Sequence, residues 1–300
     1  MTSRMKIRSF SDLARKPTYR TIDGVSIRYI ESDPGGATSQ ALLLSPWPES
    51  IHAYEATWSQ LAAAAHLVAI DLPGFGRSEG RRELMSPRAM GEFIVHAADA
   101  FGLERPHVVG PDVGTAASLF AAAAHPNRFR SLTIGTGGAA VPLDLGEPLL
   151  GWVHAPDLAP YRKMGGRPIV EHAIRTLERH VLSDAAREDY LASYEGDRFA
   201  ESMRYVQSYP TELELLRDPL PEIQTPVQII SGRRDKVVPP TNATYLHERL
   251  PRSDLHLLDA GHFVWEDAAD DYAALVQAWW AVGHRFAATR PSLQQFAAEA

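Results

Sequence analysis

Hydrophobic and polar positions along the chain follow two rhythms. Thr18-Tyr19-Arg20-Thr21-Ile22 and Ser26-Ile27-Arg28-Tyr29-Ile30 alternate in steps of two around Asp23-Gly24, which predicts a β-hairpin. Beyond it, short apolar runs alternate with helical patterns. Ala41–Leu44, Leu67–Ile70, Val108-Val109 and Leu132–Ile134 read as buried strands, and Tyr54–Ala65, Pro87–Phe101 and Thr115–His125 read as helices. Val227–Ile230 and Leu255–Leu258 resume the strand pattern after a long gap, with helices expected over Thr241–Leu250 and Ala268–Val282. This alternation predicts an α/β fold, a mostly parallel central sheet flanked by helices, with its site at the carboxyl ends of the strands.

The gap itself carries no strand signal. Helices are expected at Arg167–Leu182, Asp184–Tyr194 and Arg198–Tyr209, and a helical insertion just before the chain returns to the sheet would sit over the strand ends as a cap. The expected organisation is a first core part over residues 1–139, a helical cap over 140–215, and a second core part with a C-terminal tail over 216–300. Arg285–Ala300 has weak apolar content and is expected to be a terminal helix or a frayed tail.

Composition narrows the classes. The 300 residues are 45% hydrophobic and 22% charged, as in an ordinary globular protein rather than a disordered one. A net charge of −7 leaves no basic excess for a nucleic-acid footprint. The absence of cysteine removes disulfides, thiol nucleophiles and cysteine-rich metal sites together. Met1–Lys16 lacks the apolar centre of a signal peptide, and no run approaches the ~18 apolar residues of a membrane span. A cytoplasmic protein is the expectation.

Candidate chemistry centres on Gly110-Pro111-Asp112-Val113-Gly114. An apolar strand, a tight Gly-x-nucleophile-x-Gly turn and a small-residue helix form the setting of a nucleophile elbow, here with aspartate where serine is usual. A carboxylate with a reference pKa near ~3.9 is ionised at neutral pH and needs no base to attack. On an acyl carbon it would give a mixed anhydride; on a saturated carbon bearing a leaving group it gives an alkyl ester. Gly76-Arg77-Ser78-Glu79-Gly80 spells the serine version of the motif, but loop precedes it and no small-residue helix follows, so Ser78 is read as loop punctuation.

The chain resembles the α/β-hydrolase superfamily, and within it the aspartate-nucleophile branch of epoxide hydrolases and haloalkane dehalogenases. The resemblance runs from about Tyr19 to Trp280. It rests on Ser45-Pro46-Trp47-Pro48-Glu49-Ser50, Asp71-Leu72-Pro73-Gly74-Phe75-Gly76-Arg77-Ser78, the Asp112 elbow, Ser231-Gly232-Arg233-Arg234-Asp235 and Asp259-Ala260-Gly261-His262. The order nucleophile, acid, histidine then implies Asp112, Asp235 and His262 as the catalytic set, with Asp235 orienting His262. The backbone N–H groups of Trp47 and Val113 are implied as the oxyanion hole. Pro46 stands where the family usually has glycine, and it is stiffer and lacks an N–H.

The leaving group decides the activity. Val113 stands where dehalogenases of this branch usually carry a halide-holding tryptophan, which favours opening of an epoxide to a vicinal diol over halide release. Tyr161 and Tyr205 are the candidate ring-opening acids, although the Asn-aromatic-Tyr-Arg signature is not clean around Tyr205. Other fold-mates' activities and a non-catalytic binding role are the alternatives. No cofactor or metal is expected. The expected partner is a small apolar or amphipathic substrate, with no nucleic acid and no membrane; a homodimer is left open. Asp71 with its glycines reads as structural loop, Trp279-Trp280 as core packing, and Trp152 with His154 as pocket lining or core.

Overall fold

A computed structural model describes residues 9–14, 18–33 and 38–286. The reading of Arg285–Ala300 as a tail falls mostly on residues 287–300, outside the described residues, as does most of Met1–Lys16. The hairpin joins β1 (Thr18–Ile22) to β2 (Val25–Glu31). Asp23 and Gly24 both take positive φ, 50° and 75°, the combination that lets a two-residue turn follow the twist of its strands.

β3 (Gln40–Leu44), β4 (His66–Ile70), β5 (His107–Pro111), β6 (Ser131–Gly135), β7 (Val227–Gly232) and β8 (Ser253–Leu258) complete an eight-stranded sheet. Its order is β1-β2-β4-β3-β5-β6-β7-β8, with β2 antiparallel to β4 and parallel pairing from β4 through β8. Side chains on a strand alternate between faces. Leu42 and Leu44 of β3 and Val68 and Ile70 of β4 therefore enter one core, while Ala41, Leu43, Leu67 and Ala69 enter the other. Two covered faces explain why these strands read as unbroken apolar runs. This is the expected α/β architecture.

Between β6 and β7 the chain forms six α-helices among the described residues: Leu149–Val153, Ala159–Met164, Gly166–Ile174, Asp184–Ser193, Arg198–Gln207 and Tyr209–Arg217. The helix expected over Arg167–Leu182 stops at Ile174. Beyond it, the backbone N–H groups of Glu178, Arg179 and His180 donate to the Asp267 carboxylate at 3.0, 2.8 and 2.9 Å instead of continuing a helix. The helix expected over Arg198–Tyr209 likewise ends at Gln207, and Pro210 sits in the first turn of the next, where its missing N–H costs nothing.

A buried ion cluster ties this helical segment to the sheet. Arg28 of β2 donates from Nη1 and Nη2 to Asp189 at 2.7 and 2.8 Å, and from Nε to Asp71 at 2.5 Å. Ser50 Oγ donates to Asp189 at 2.7 Å, and Arg77 lies 2.9 Å away. Asp71 also accepts the N–H groups of Ile51 and Arg77, so the structural reading of that loop stands. Ser78 is buried and donates to the Asp71 carbonyl at 2.7 Å, far from a nucleophile's setting. Among the described residues, no helix is long and apolar enough to cross a membrane.

Burial alone would raise the Asp189 pKa, but the Arg28 hydrogen bonds and charge outweigh it and bring it to about 2. A depressed carboxylate pKa adds stability above the unfolded value and loses it as pH falls through the folded one. Asp189→Ala is therefore expected to cost about 3–5 kcal/mol at neutral pH, since it leaves Arg28 buried with half its partners. Urea unfolding of both proteins should show that gap shrinking as pH falls from about 4 toward about 2. A gap below about 1 kcal/mol at neutral pH, or one independent of pH, contradicts the clamp.

Candidate active site

Asp112 follows β5 directly, and the helix Gly114–Ala124 begins two residues later. The turn is tight enough that Asp112 has φ of 52°, a left-handed conformation rare for a non-glycine residue. Its N–H donates to the Gly135 carbonyl at 2.9 Å, and its carbonyl accepts Thr115 N–H at 2.9 Å. A Cβ at Gly110 would stand 2.5 Å from Ser118 Oγ, so only glycine lets strand and helix approach this closely.

Asp235 lies three residues past β7 and His262 four past β8, both at the carboxyl edge of the sheet. Asp235 Oδ1 accepts the N–H groups of Val237 and Val238, each at 2.9 Å, and Oδ2 accepts from His262 Nδ1 at 2.9 Å. His262 Nε2 then faces Asp112 Oδ1 at 3.9 Å, longer than a hydrogen bond. The structure thus brings the three expected catalytic residues together, all buried.

The N–H groups of Trp47 and Val113 are also where expected, but they are turned to an unanticipated use. Trp47 N–H donates to Asp112 Oδ2 at 2.6 Å, and the Val113 N–H also helps hold this carboxyl's pKa down. Burial raises the Asp112 pKa to about 6, and the His262 charge and these two donors only partly offset it. Burial would lower the His262 pKa, yet the charge and hydrogen bond of Asp235, with the charge of Asp112, raise it above its ordinary value.

These groups open onto a cavity of about 410 Å³, whose lining includes Trp152, Ile169, His172, Glu178, Lys236 and Phe263. Trp47 forms one wall. Its ring stacks on Phe199 and meets Trp152 edge-on, both at 5.1 Å, while its Nε1 donates to Ser202 at 2.8 Å. Trp152 is therefore lining; His154 is not. Tyr161 and Tyr205 are both absent from the lining. Tyr161 packs part-buried against the core, and Tyr205 is fully buried with its hydroxyl donating to the Val113 carbonyl at 2.7 Å.

Sequence reasoning missed a carboxyl pair beside this site. Glu49 Oε2 accepts Trp265 Nε1 at 3.0 Å, and Glu266 Oε1 accepts the Tyr190 hydroxyl at 2.8 Å. Burial, then repulsion from Glu266, holds the Glu49 pKa well above normal, and burial lifts Glu266 to about 7. Glu49 Oε1 and Glu266 Oε2 are both buried with no other hydrogen-bond partner among the described residues, the setting in which one proton held between two carboxyls would serve both. Glu49 stands inside the Trp-Pro-Glu-Ser run, but nothing local marks Glu266. Among the described residues no group of three or more histidine and acidic side chains could hold a metal ion.

The family model described as alpha/beta hydrolase fold matches residues 42–162. With the elbow after β5, the acid after β7 and the histidine after β8, this settles the architecture. The chain is an α/β-hydrolase-fold protein.

The chain is 29% identical over 236 residues to 2-hydroxy-6-oxononadienedioate/2-hydroxy-6-oxononatrienedioate hydrolase 2 of Pseudomonas putida, covering 72% of the chain and 77% of that protein. It is 28% identical to a 2-hydroxymuconate semialdehyde hydrolase of Pseudomonas putida, over 70% of the chain and 75% of that protein. A meta-cleavage product hydrolase from Pseudomonas fluorescens IP01 shares the fold at a TM-score of 0.67 and 21% identity, covering 89% of this chain and 98% of that one. These relatives correct the expected activity. The two sequence relatives are hydrolases of 2-hydroxy-6-oxononadienedioate or -nonatrienedioate and of 2-hydroxymuconate semialdehyde, so epoxide opening through an alkyl-enzyme ester, and dehalogenation with it, do not hold. The ring-opening roles of Tyr161 and Tyr205 fall with that activity, as their placement away from the cavity agrees.

Asp235 raises the His262 pKa by charge and hydrogen bond, so Asp235→Asn is expected to lower it. Following the His262 ring by NMR through a pH titration checks this, and an unchanged midpoint contradicts the coupling.

Proposed function

We propose that this α/β-hydrolase adds water at the carbonyl carbon of a 2-hydroxy-6-oxo-dienoate-like substrate and breaks the adjoining carbon–carbon bond. The observation that carries this reading is the state of His262: Asp235 fixes Nδ1, while Nε2 faces the cavity at 3.9 Å from Asp112, too far to be engaged by it. A histidine so held is a base for water. The substrate class comes from the relatives' names. 2-Hydroxymuconate semialdehyde has no ester, amide or halide bond, so its hydrolysis must break a carbon–carbon bond.

In this reading Asp112 transfers protons. As a carboxylate it takes the proton of the 2-hydroxyl and delivers it to C5, which converts the dienol to a 2,6-dicarbonyl compound. A buried carboxyl with a pKa of about 6 suits a group that must both accept and release a proton near neutral pH. His262 then removes a proton from water as its oxygen adds to C6. The C5–C6 bond breaks, its electron pair passes into the conjugated system ending at the C2 oxygen, and His262 returns the proton. The products are a carboxylic acid and a 2-hydroxydienoate, and the sum is substrate plus one water. The apolar walls at Trp47 and Trp152 fit the flat conjugated chain.

Both Asp112 and His262 must start unprotonated. With 2-hydroxymuconate semialdehyde, kcat/KM is expected to rise with pH through the Asp112 and His262 ionisations and then stay level to about pH 9. A bell-shaped profile contradicts the assignment. His262→Ala is expected to lower kcat/KM by about 10³-fold, or about 4 kcal/mol. In a single turnover in ¹⁸O-water, label is expected in the carboxylic acid product and not in the peptide containing Asp112. Label in that peptide would show a covalent intermediate and overturn this mechanism.

A further inference from the structure

The edge of the sheet opposite the Asp112 cavity carries a second, differently charged cavity. Arg105 stands two residues before β5, Arg130 directly before β6, Pro226 directly before β7 and Arg252 directly before β8. These strands are successive parallel neighbours, so their entries lie side by side at a spacing of about 4.8 Å. With His284 and Arg285 they line a cavity of about 450 Å³. Asp112, Asp235 and His262 leave β5, β7 and β8 at their other ends, so the two cavities are separated by the length of the strands.

Four arginines line this cavity, and among the described residues no carboxylate does. Among the described residues none of the four makes an ion pair, whereas Arg128, two positions before Arg130, is paired with Asp99 at 2.7 Å. This is not the spillover of a basic chain, whose net charge is −7. Arg252 is aimed by the backbone, with Nη1 and Nη2 donating to the carbonyls of Gln224 and His284 at 3.2 and 3.5 Å. His284 Nδ1 lies 2.9 Å from the Trp279 carbonyl, which can only accept, so that nitrogen carries the proton. Burial and then the charges of Arg285, Arg130 and Arg252 lower its pKa, as expected beside positive charge with no counterion.

We propose that this cavity is a binding site for a small phosphate-bearing anion. Guanidinium forks bind phosphate oxygens in pairs, and several forks around one concavity match a multivalent oxyanion better than any neutral or cationic ligand. The site is separate from the hydrolytic cavity and independent of which carbonyl substrate that cavity takes.

Calorimetric titration of the full chain with inorganic pyrophosphate at low salt tests this. Saturable binding of one pyrophosphate per chain is expected, weakened at least 10-fold by Arg130→Gln and by Arg252→Gln, and also weakened by the exposed Arg105→Gln, whose fold circular dichroism can check. A saturable rise of wild-type Tm with pyrophosphate, absent with chloride at equal ionic strength, is expected as well and needs no variant. Absence of saturable binding, or equal affinity in all the variants, overturns the proposal. Sedimentation of the protein with phosphatidylglycerol vesicles but not phosphatidylcholine vesicles, without pyrophosphate binding, overturns it in favour of a membrane headgroup.

Discussion

Asp112 turns from β5 into a helix with a left-handed φ of 52°, and its carboxylate takes the N–H of Trp47 at 2.6 Å. That contact joins the loop after β3 to the loop after β5, and much of the site depends on it. It fixes the Trp47 ring as a cavity wall, because the same residue supplies both the backbone donor and the indole that stacks on Phe199. It leaves Oδ1 as the oxygen turned toward His262. It also keeps a carboxylate where burial would otherwise favour the neutral acid, so the group is balanced between its two forms.

The helical segment is held over this arrangement by polar contacts as well as by packing. Asp189 meets Arg28 from β2 and Ser50 from the Trp47 loop, and the Tyr194 hydroxyl donates to the Glu49 carbonyl at 2.9 Å. At the other side, Asp267 gathers three backbone N–H groups of residues 178–180 just five positions after His262. The loops that carry Trp47 and His262 and the helices between β6 and β7 are thus tied at both edges of the cavity. Buried charge of this kind gives orientation more than net stability, and its removal from one side is what costs most.

The parts of the fold legible in the chain are those decided locally. Asp23-Gly24 defines its own hairpin, and runs such as Ala41–Leu44 can be buried on both faces only in a covered parallel sheet. Asp112, Asp235 and His262 were legible because each follows an apolar strand run, and a parallel sheet gathers its strand ends at one edge. What was not legible depends on partners far along the chain. Asp267 ends the helix begun at Gly166 from nearly ninety residues away, and Glu266 meets Glu49 from further still. The activity was misread for a related reason. The type of one residue, aspartate in place of serine, was taken to name the bond broken, and tyrosines were enlisted whose side chains turn out to be spent on packing and on the Val113 carbonyl.

In the proposed reaction Asp112 is a proton-exchanging carboxyl, held by the Trp47 N–H and facing His262. The most direct test of this role is the titration of the Asp112 carboxyl carbon by ¹³C NMR in the wild-type protein, with Asp112→Asn used to assign the signal. A midpoint displaced upward to about 6 is expected. A midpoint at the ordinary aspartate value near ~3.9 would contradict it, because a carboxylate ionised throughout the neutral range could accept a proton from the substrate only fleetingly.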